Sequence, residues 1–271
     1  MEKKTVFEVY LMPGDTACPF GLVSRLGILS KERKEMKIYK NPLKIFCTML
    51  LFMSLFLPIQ PSEIYAQQQT IKEIKGGDMT INFDKSIKLP PGFRAETTGY
   101  STHAALWQVV QDKQAPSRPN ILKITEIKSP SGSQFNICWS DKIRFKDGEI
   151  EVKVRADSGR IDQGGGPVWR VKDRLNYYVA RLNPLEDNFR IYYVKNGRRT
   201  MIGSASVRGI KEGMWFTIKI AVKGDMITGW VNGKRLIQVE DSTLGDEGGV
   251  GLWSKADAAS SFDDLTVRAE E

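Results

Sequence analysis

From residue 78 to the end of the chain, apolar and polar residues alternate at a period of two and almost never at the helical spacing. Successive side chains of a strand point to opposite faces, so this alternation restricts the region to half-buried β-strands. The segments ALWQVVQ, NILKITEI, EIEVKVRA, FRIYYVK, WFTIKIAVKG, MITGWVNG and RLIQVE carry it, and all are rich in β-branched or aromatic residues. Turn signals separate them: KDG at 146–148, KNG at 195–197, KGD at 223–225 and VNGK at 231–234. TIKIAVKGDMITGWVNGKRLIQVED reads as a three-stranded meander with two tight hairpins. About a dozen strands with no helices between them predict an all-β fold, two antiparallel sheets packed face to face as a jelly-roll sandwich. No fixed repeat is present, which argues against a propeller.

The front of the chain has a different composition. Residues 45–59, IFCTMLLFMSLFLPI, are uncharged; Lys37, Lys40 and Lys44 precede them, and Ala66 follows just before a polar stretch. A basic start, an apolar middle and a small-residue exit are the parts of a secretory signal peptide. A membrane span needs about 20 apolar residues, and Pro58 interrupts this run. The expected organisation is therefore an upstream extension over 1–35 (a mis-called start or a disordered region), with Met36 opening a signal peptide over 36–66 that is cut after Ala66. A short polar lead-in over 67–77 and a single sandwich domain over 78–271 follow. The expected location is secreted or periplasmic, with no membrane span in the mature chain.

Of the 40 Lys and Arg residues nine precede residue 67, and of the 32 Asp and Glu residues six do. The mature part thus has 31 basic and 26 acidic residues, a net charge of +5. The basic residues are spread along strands rather than clustered, which argues against nucleic acid as a partner. Of the three cysteines only Cys138 lies past the leader, in the apolar run FNICW, so an internal disulfide is excluded there and a buried thiol is expected.

Parity assigns faces. In NYYVARLN, Tyr178, Ala180 and Leu182 share one side, with Tyr177, Val179, Arg181 and Asn183 on the other. In NFRIYYV, Phe189, Ile191 and Tyr193 fall together, opposite Arg190 and Tyr192. The apolar sets are expected to face the core, leaving arginines, tyrosines and an asparagine on an open sheet surface.

APSRPNILKITE, GEIEVKVRAD, GPVWRVKDRLNYYVARLNPLEDNFRIYYVKNGRR and the terminal GGVGLWSKADAASSFDDLTV together resemble the 3-keto-disaccharide hydrolase domain family. The resemblance covers residues 78 to 269, and NYYVARLNPLEDNFRIYYV with GLWSKADAASSFDDL is its most specific part. It implies a concanavalin A-like, laminin G-like jelly roll of two curved sheets. It also implies carbohydrate as the partner, bound on the concave sheet, without securing catalysis.

Ordinary glycoside hydrolysis needs two carboxyl groups flanking the scissile bond. Glu149 and Glu151 in GEIEVKVRAD alternate correctly, but Lys153 occupies the next position on that face, so the laminarinase-type motif is broken. Glu149 and Glu151 then read as a solvated strand face paired with lysines across the sheet. His103 is the only histidine and there is no GxSxG elbow, which removes a Ser-His-Asp arrangement. His103 and Cys138 are too few for a zinc site.

A keto group acidifies the neighbouring C–H, so elimination from a 3-keto sugar needs a base and a positive stabiliser for the enolate. Asp173, Asp187 and Asp257 are the candidate bases; Arg181, Arg170 and Lys255 are the candidate cations. Turn preference alone also selects Asp in VKDRLN and in PLEDN. For binding, an aromatic ring takes the flat face of a sugar and forked polar groups take its hydroxyls. Tyr177, Tyr192 and Trp253 are the expected platforms; Arg170, Asn183, Arg190 and Lys255 are the expected polar contacts. Gly249 and Gly251 beside Trp253 are expected to leave room for a ligand, and Trp139 to belong to the core or a hairpin. Gly164–Gly166 reads as a flexible loop overhanging the sheet. No cofactor is required. A structural calcium would need Asp263 and Asp264 joined by Asp78 or Asp84 across paired termini. The competing function is a non-catalytic carbohydrate-binding or laminin G-like protein-interaction module.

Overall fold

A computed structural model describes residues 77–270 of the chain, apart from 86, 100–102, 129 and 130. The expectations for 1–35 and 36–66, including the cut after Ala66, lie outside the described residues, as does nearly all of the lead-in over 67–77. The strands, in chain order, are β1 (Gly77–Ile81), β2 (Phe93–Thr98), β3 (Leu106–Gln111), β4 (Asn120–Glu126) and β5 (Phe135–Phe145). Next come β6 (Gly148–Ser158), β7 (Gly165–Asp173), β8 (Asn176–Asn183), β9 (Asn188–Lys195) and β10 (Arg198–Ser206). The last are β11 (Trp215–Lys223), β12 (Met226–Val231), β13 (Lys234–Glu240), β14 (Gly248–Lys255) and β15 (Ala259–Ala269). Among the described residues there is no helix, and so none long and apolar enough to cross a membrane.

Two antiparallel sheets form the all-β jelly-roll sandwich. One runs β13-β12-β11-β6-β15-β4-β3, with β1 added on β15; the other runs β10-β9-β8-β7-β14-β5-β2. The predicted meander is β11–β12–β13, and its second turn is closed by Asn232 and Gly233 at φ 47° and 77°. Positive φ at both central residues is the hairpin geometry that Asn-Gly selects.

The main core lies between the sheets. Ile150, Val152 and Val154 of β6 and Ile218, Ile220 and Val222 of β11 meet Tyr178, Ala180 and Leu182 of β8 and Val250 and Leu252 of β14. Trp169 stacks on Tyr178 with ring centroids 5.5 Å apart, and Trp107 on Phe262 at the same distance. Each such fully buried side chain stabilises the fold by about 1.5–3 kcal/mol relative to exposure. Cys138 is buried in this core, where burial pushes its thiol up, far from the reactive thiolate.

The outer face of the eight-stranded sheet is a charged ladder. Lys219 reaches Glu149 at 3.1 Å and Lys153 reaches Asp264 at 2.7 Å. Glu149 thus belongs to a cross-strand pair, as parity suggested.

Candidate functional site

The other outer face, on the seven-stranded sheet, brings the sequence candidates together. Register places Tyr177 opposite Val194, Val179 opposite Tyr192, Arg181 opposite Arg190 and Asn183 opposite Asn188. On β14, Trp253 pairs with Ile137 of β5 and Gly166 of β7. Tyr177, Val179, Tyr192, Val194 and Trp253 join Phe135, Ile137, Trp139, Val168 and Val171 in a second apolar cluster, separate from the main core.

This face is not the open platform expected from parity. Tyr177 and Trp253 are fully buried and Tyr192 nearly so. Their polar ends satisfy one another. Trp253 Nε1 donates to the Tyr177 hydroxyl at 3.3 Å; that hydroxyl meets Thr98 Oγ1 at 2.8 Å, and Thr98 Oγ1 donates to the Arg174 carbonyl at 2.5 Å. Burial raises the Tyr177 phenol well above its ordinary value, so it stays protonated as the relay requires.

Beyond the rings the same face becomes ionic. Arg181, 1% exposed, donates from Nη2 to Glu186 at 2.9 Å and from Nη1 to Asn188 at 3.2 Å; its Nε has no partner. Glu186 also accepts from Arg190 at 3.2 Å. Burial opposes ionisation of Glu186, but the bond from Asn188 and the charges of Arg181 and Arg190 outweigh it and hold the carboxyl at about 2. Asp162, 1% exposed, accepts from Asn183 at 2.9 Å on Oδ1 and from Lys255 at 2.7 Å on Oδ2. Asp257 holds this carboxylate's loop: its side chain accepts the backbone N–H groups of Arg160, Ile161 and Asp162 at 2.7 to 3.1 Å. Against the opposing effect of burial, those N–H bonds keep Asp257 below its usual range. Asp257, expected as a base, positions Asp162 instead.

The family model of the 3-keto-alpha-glucoside-1,2-lyase-like domain matches residues 96–268. The chain belongs to this family. No curated protein matches it. The carbohydrate-binding module CBM66 from Bacillus subtilis has the same fold at 18% identity, with 65% of this chain and 94% of that one covered and a TM-score of 0.51. A beta-glucanase of Bacillus licheniformis is similar at 12% identity over 73% of this chain and all of its own, with a TM-score of 0.49. A B. subtilis protein of unknown function with a galectin-like fold is 12% identical, over 72% of this chain and 97% of its own, with a TM-score of 0.48.

In this lyase-like domain several expected placements differ. Arg170 is not on the site face. It sits at a β-bulge at φ 47°, fully buried, and its guanidinium donates to the carbonyls of Lys146, Gly224 and Leu244 and to Asp147. The bulge breaks the alternation on which its placement rested. Asp173 and Asp187 do not meet: Asp173 closes the β7–β8 turn by accepting from Leu175 N at 2.6 Å and from Asn176, while Asp187 is exposed at φ 51° in the β8–β9 turn. Arg181, Asn183, Arg190, Tyr192, Lys255, Tyr177 and Trp253 do share the predicted face.

The glycines also differ from expectation. Gly165 and Gly166 are buried inside β7, not in an overhanging loop; a Cβ on Gly166 would lie 2.1 Å from the Ala180 carbonyl. The gap beside Trp253 is filled by Trp139, which is on this outer face rather than in the core: a Cβ on Gly251 would lie 2.4 Å from Trp139 Cβ. Trp139 carries Arg94 over its ring at 3.7 Å and donates to Glu96.

The termini pair, β1 on β15, but the acidic residues expected around a calcium divide among separate partners. Asp78 meets Arg268, Asp84 accepts from Asn120 N, Asp264 takes Lys153 and Asp263 takes Ser117. Burial first, and then the neighbouring Asp264 charge, pushes Asp263 up to about 6. Among the described residues no group of three or more acidic, His or Cys side chains is placed to hold a metal ion.

Sequence reasoning missed Asp162, Glu186 and Arg199. The only local signal for Asp162 is its place in RIDQGGG ahead of a strand; its partners Asn183 and Lys255 are 21 and 93 residues away.

Proposed function

We propose that this chain is an extracytoplasmic carbohydrate-active protein that takes a glycoside on the outer face of the seven-stranded sheet and cleaves it when the sugar carries a 3-keto group. One observation carries the reading: Asp162, Lys255, Asn183 and Arg181 gather on a single sheet face beside Tyr192 and Trp253. Membership of the 3-keto-alpha-glucoside-1,2-lyase-like family, whose name describes a lyase acting between C1 and C2 of a keto-glucoside, supports it. The half-buried rim, Arg190 and Lys255, supplies donors for sugar hydroxyls.

Within the cluster Glu186 is a poor base, because its carboxyl is held at about 2. Asp162 is the carboxylate that takes the C2 proton, at the Oδ2 where Lys255 now donates. The displaced Lys255 ammonium turns to the enolate oxygen, and Arg181 adds fixed positive charge behind it. The electron pair of the C2–H bond forms the C1–C2 double bond, the C1–O bond breaks, and the leaving oxygen takes a proton from solvent.

The test is turnover of a panel of plain and 3-keto glycosides by the full chain and by Asp162→Asn and Lys255→Met. Removing a general base costs about 10²–10⁴-fold, so Asp162→Asn should lose turnover of the keto substrate on that scale while still binding the plain sugar, and Lys255→Met should lose both turnover and part of the sugar affinity. Unchanged turnover by Asp162→Asn places the chemistry elsewhere. A wild-type chain that binds no sugar favours the second reading, a laminin G-like protein-interaction module.

A further inference from the structure

Arg199, on β10, lies against the same face. Its guanidinium carbon is 4.3 Å from the Tyr192 ring centroid, 5.1 Å from that of Phe135 and 5.8 Å from that of Trp253. Its Nη1 is buried and has no hydrogen-bond partner. It makes no ion pair with any described residue; Glu186 of the β8–β9 turn is shared by Arg181 and Arg190, and Asp162 is held by Asn183 and Lys255.

Three rings attract a cation, but they meet it from the ring faces and leave the in-plane N–H donors unused. Burial first, and then the repulsion from Arg181, pull the guanidinium below its ordinary value; the attraction of Asp162 opposes them without reversing the shift, so this charge is only partly compensated. The other arginines of the face are each matched by an acceptor from the protein. Arg199 alone among Arg181, Arg190 and Arg199 is held by the fold with none. A neutral hydroxyl would fill one hydrogen bond and leave the charge; a carboxylate answers both through the planar fork.

We propose that the glycoside taken by this face carries a carboxylate, as a uronic acid does, and that the half-buried Arg199 guanidinium donates to it from the aromatic cage. The inference rests on the carbohydrate reading above and narrows its substrate class to acidic sugars. Tyr192 and Trp253 then act as walls that fix the guanidinium, not as stacking platforms.

The experiment titrates the full chain, followed by tryptophan fluorescence and calorimetry, with a disaccharide ending in glucuronic acid and with its neutral glucose counterpart. The wild-type chain should prefer the acidic ligand by about tenfold or more, the scale of one charge-assisted contact. Arg199→Gln should abolish the preference while leaving binding of the neutral disaccharide within about twofold, and Arg199→Lys should retain part of it. Should Arg199→Gln fail to fold, the Lys variant decides, a weakened preference being the supporting result. Equal binding of the two ligands by the wild-type chain overturns the inference and leaves the carbohydrate reading standing. A preference that survives in Arg199→Gln does the same. An Arg199→Gln effect confined to turnover of neutral 3-keto glycosides also overturns it, since the charge would then be met only in the transition state. Binding of neither ligand removes both.

Discussion

The Trp253 indole N–H points at the Tyr177 hydroxyl, 3.3 Å away, across two neighbouring strand pairs of the seven-stranded sheet. Through Thr98 this contact reaches the Arg174 carbonyl, so four polar groups that would otherwise be stranded against rings are satisfied in series. The aromatic part of this face is therefore a floor, and the ligand contacts proposed above fall on the ionic edge around Arg181, Asp162 and Arg199.

Tyr177→Phe deletes the middle of the series and leaves the Trp253 N–H buried without an acceptor. An unsatisfied buried donor costs about 1–3 kcal/mol, which should appear as a lower denaturation midpoint with an unchanged denaturant slope. A variant as stable as wild type would show that the series does not contribute.

Gly251→Ala forces a methyl group to within 2.4 Å of both the Cys138 carbonyl and Trp139 Cβ. Because neither the backbone nor the packed indole can retreat cheaply, a loss of about 1–3 kcal/mol or more is expected in thermal unfolding. The Trp139 emission should shift in the same variant.

Arg170→Met tests the bulge. The guanidinium now ties Lys146, Gly224 and Leu244 carbonyls and Asp147 together at one end of the sandwich. Removing it takes the guanidinium from those three carbonyls and leaves Asp147 only the Gly224 N–H, and a destabilisation of about 3 kcal/mol or more should follow. Sugar affinity per folded molecule, measured by calorimetry well below the melting range, should be unchanged.

Glu186 carries a pH dependence. Its carboxyl is depressed in the fold, from 4.5 to about 2, by Asn188, Arg181 and Arg190 against the opposing effect of burial. A depressed carboxyl contributes stability that is present above its unfolded value and is lost as pH falls through the folded one. Denaturation midpoints should thus decline from about pH 4.5 down to about pH 2, and Glu186→Gln should flatten that part of the profile. Because the Glu186 side chain is 40% exposed, raising the salt concentration should shrink the effect.

Most of the strand inventory was legible from residue order alone. The alternation of β8, Tyr178, Ala180 and Leu182 against Tyr177, Val179, Arg181 and Asn183, follows from the pleat and needs no partner to be read. The same holds for the β11–β12–β13 meander, whose Asn-Gly turn states its own geometry. Arg170 escaped because a bulge costs one residue of parity and leaves no mark in composition.

What residue order by itself determined, then, was the two-sheet architecture and which side chains of each strand share a face, because both are set by local backbone geometry. Only the tertiary structure decided which of those faces is sealed by Trp139, which strand ends bring Asp162 to Lys255, and that Arg199 stands among rings with no acid bonded to it. Those relations join residues tens to more than a hundred positions apart, and contact at that separation depends on how strands from distant parts of the chain order themselves within a sheet, which no local pattern encodes.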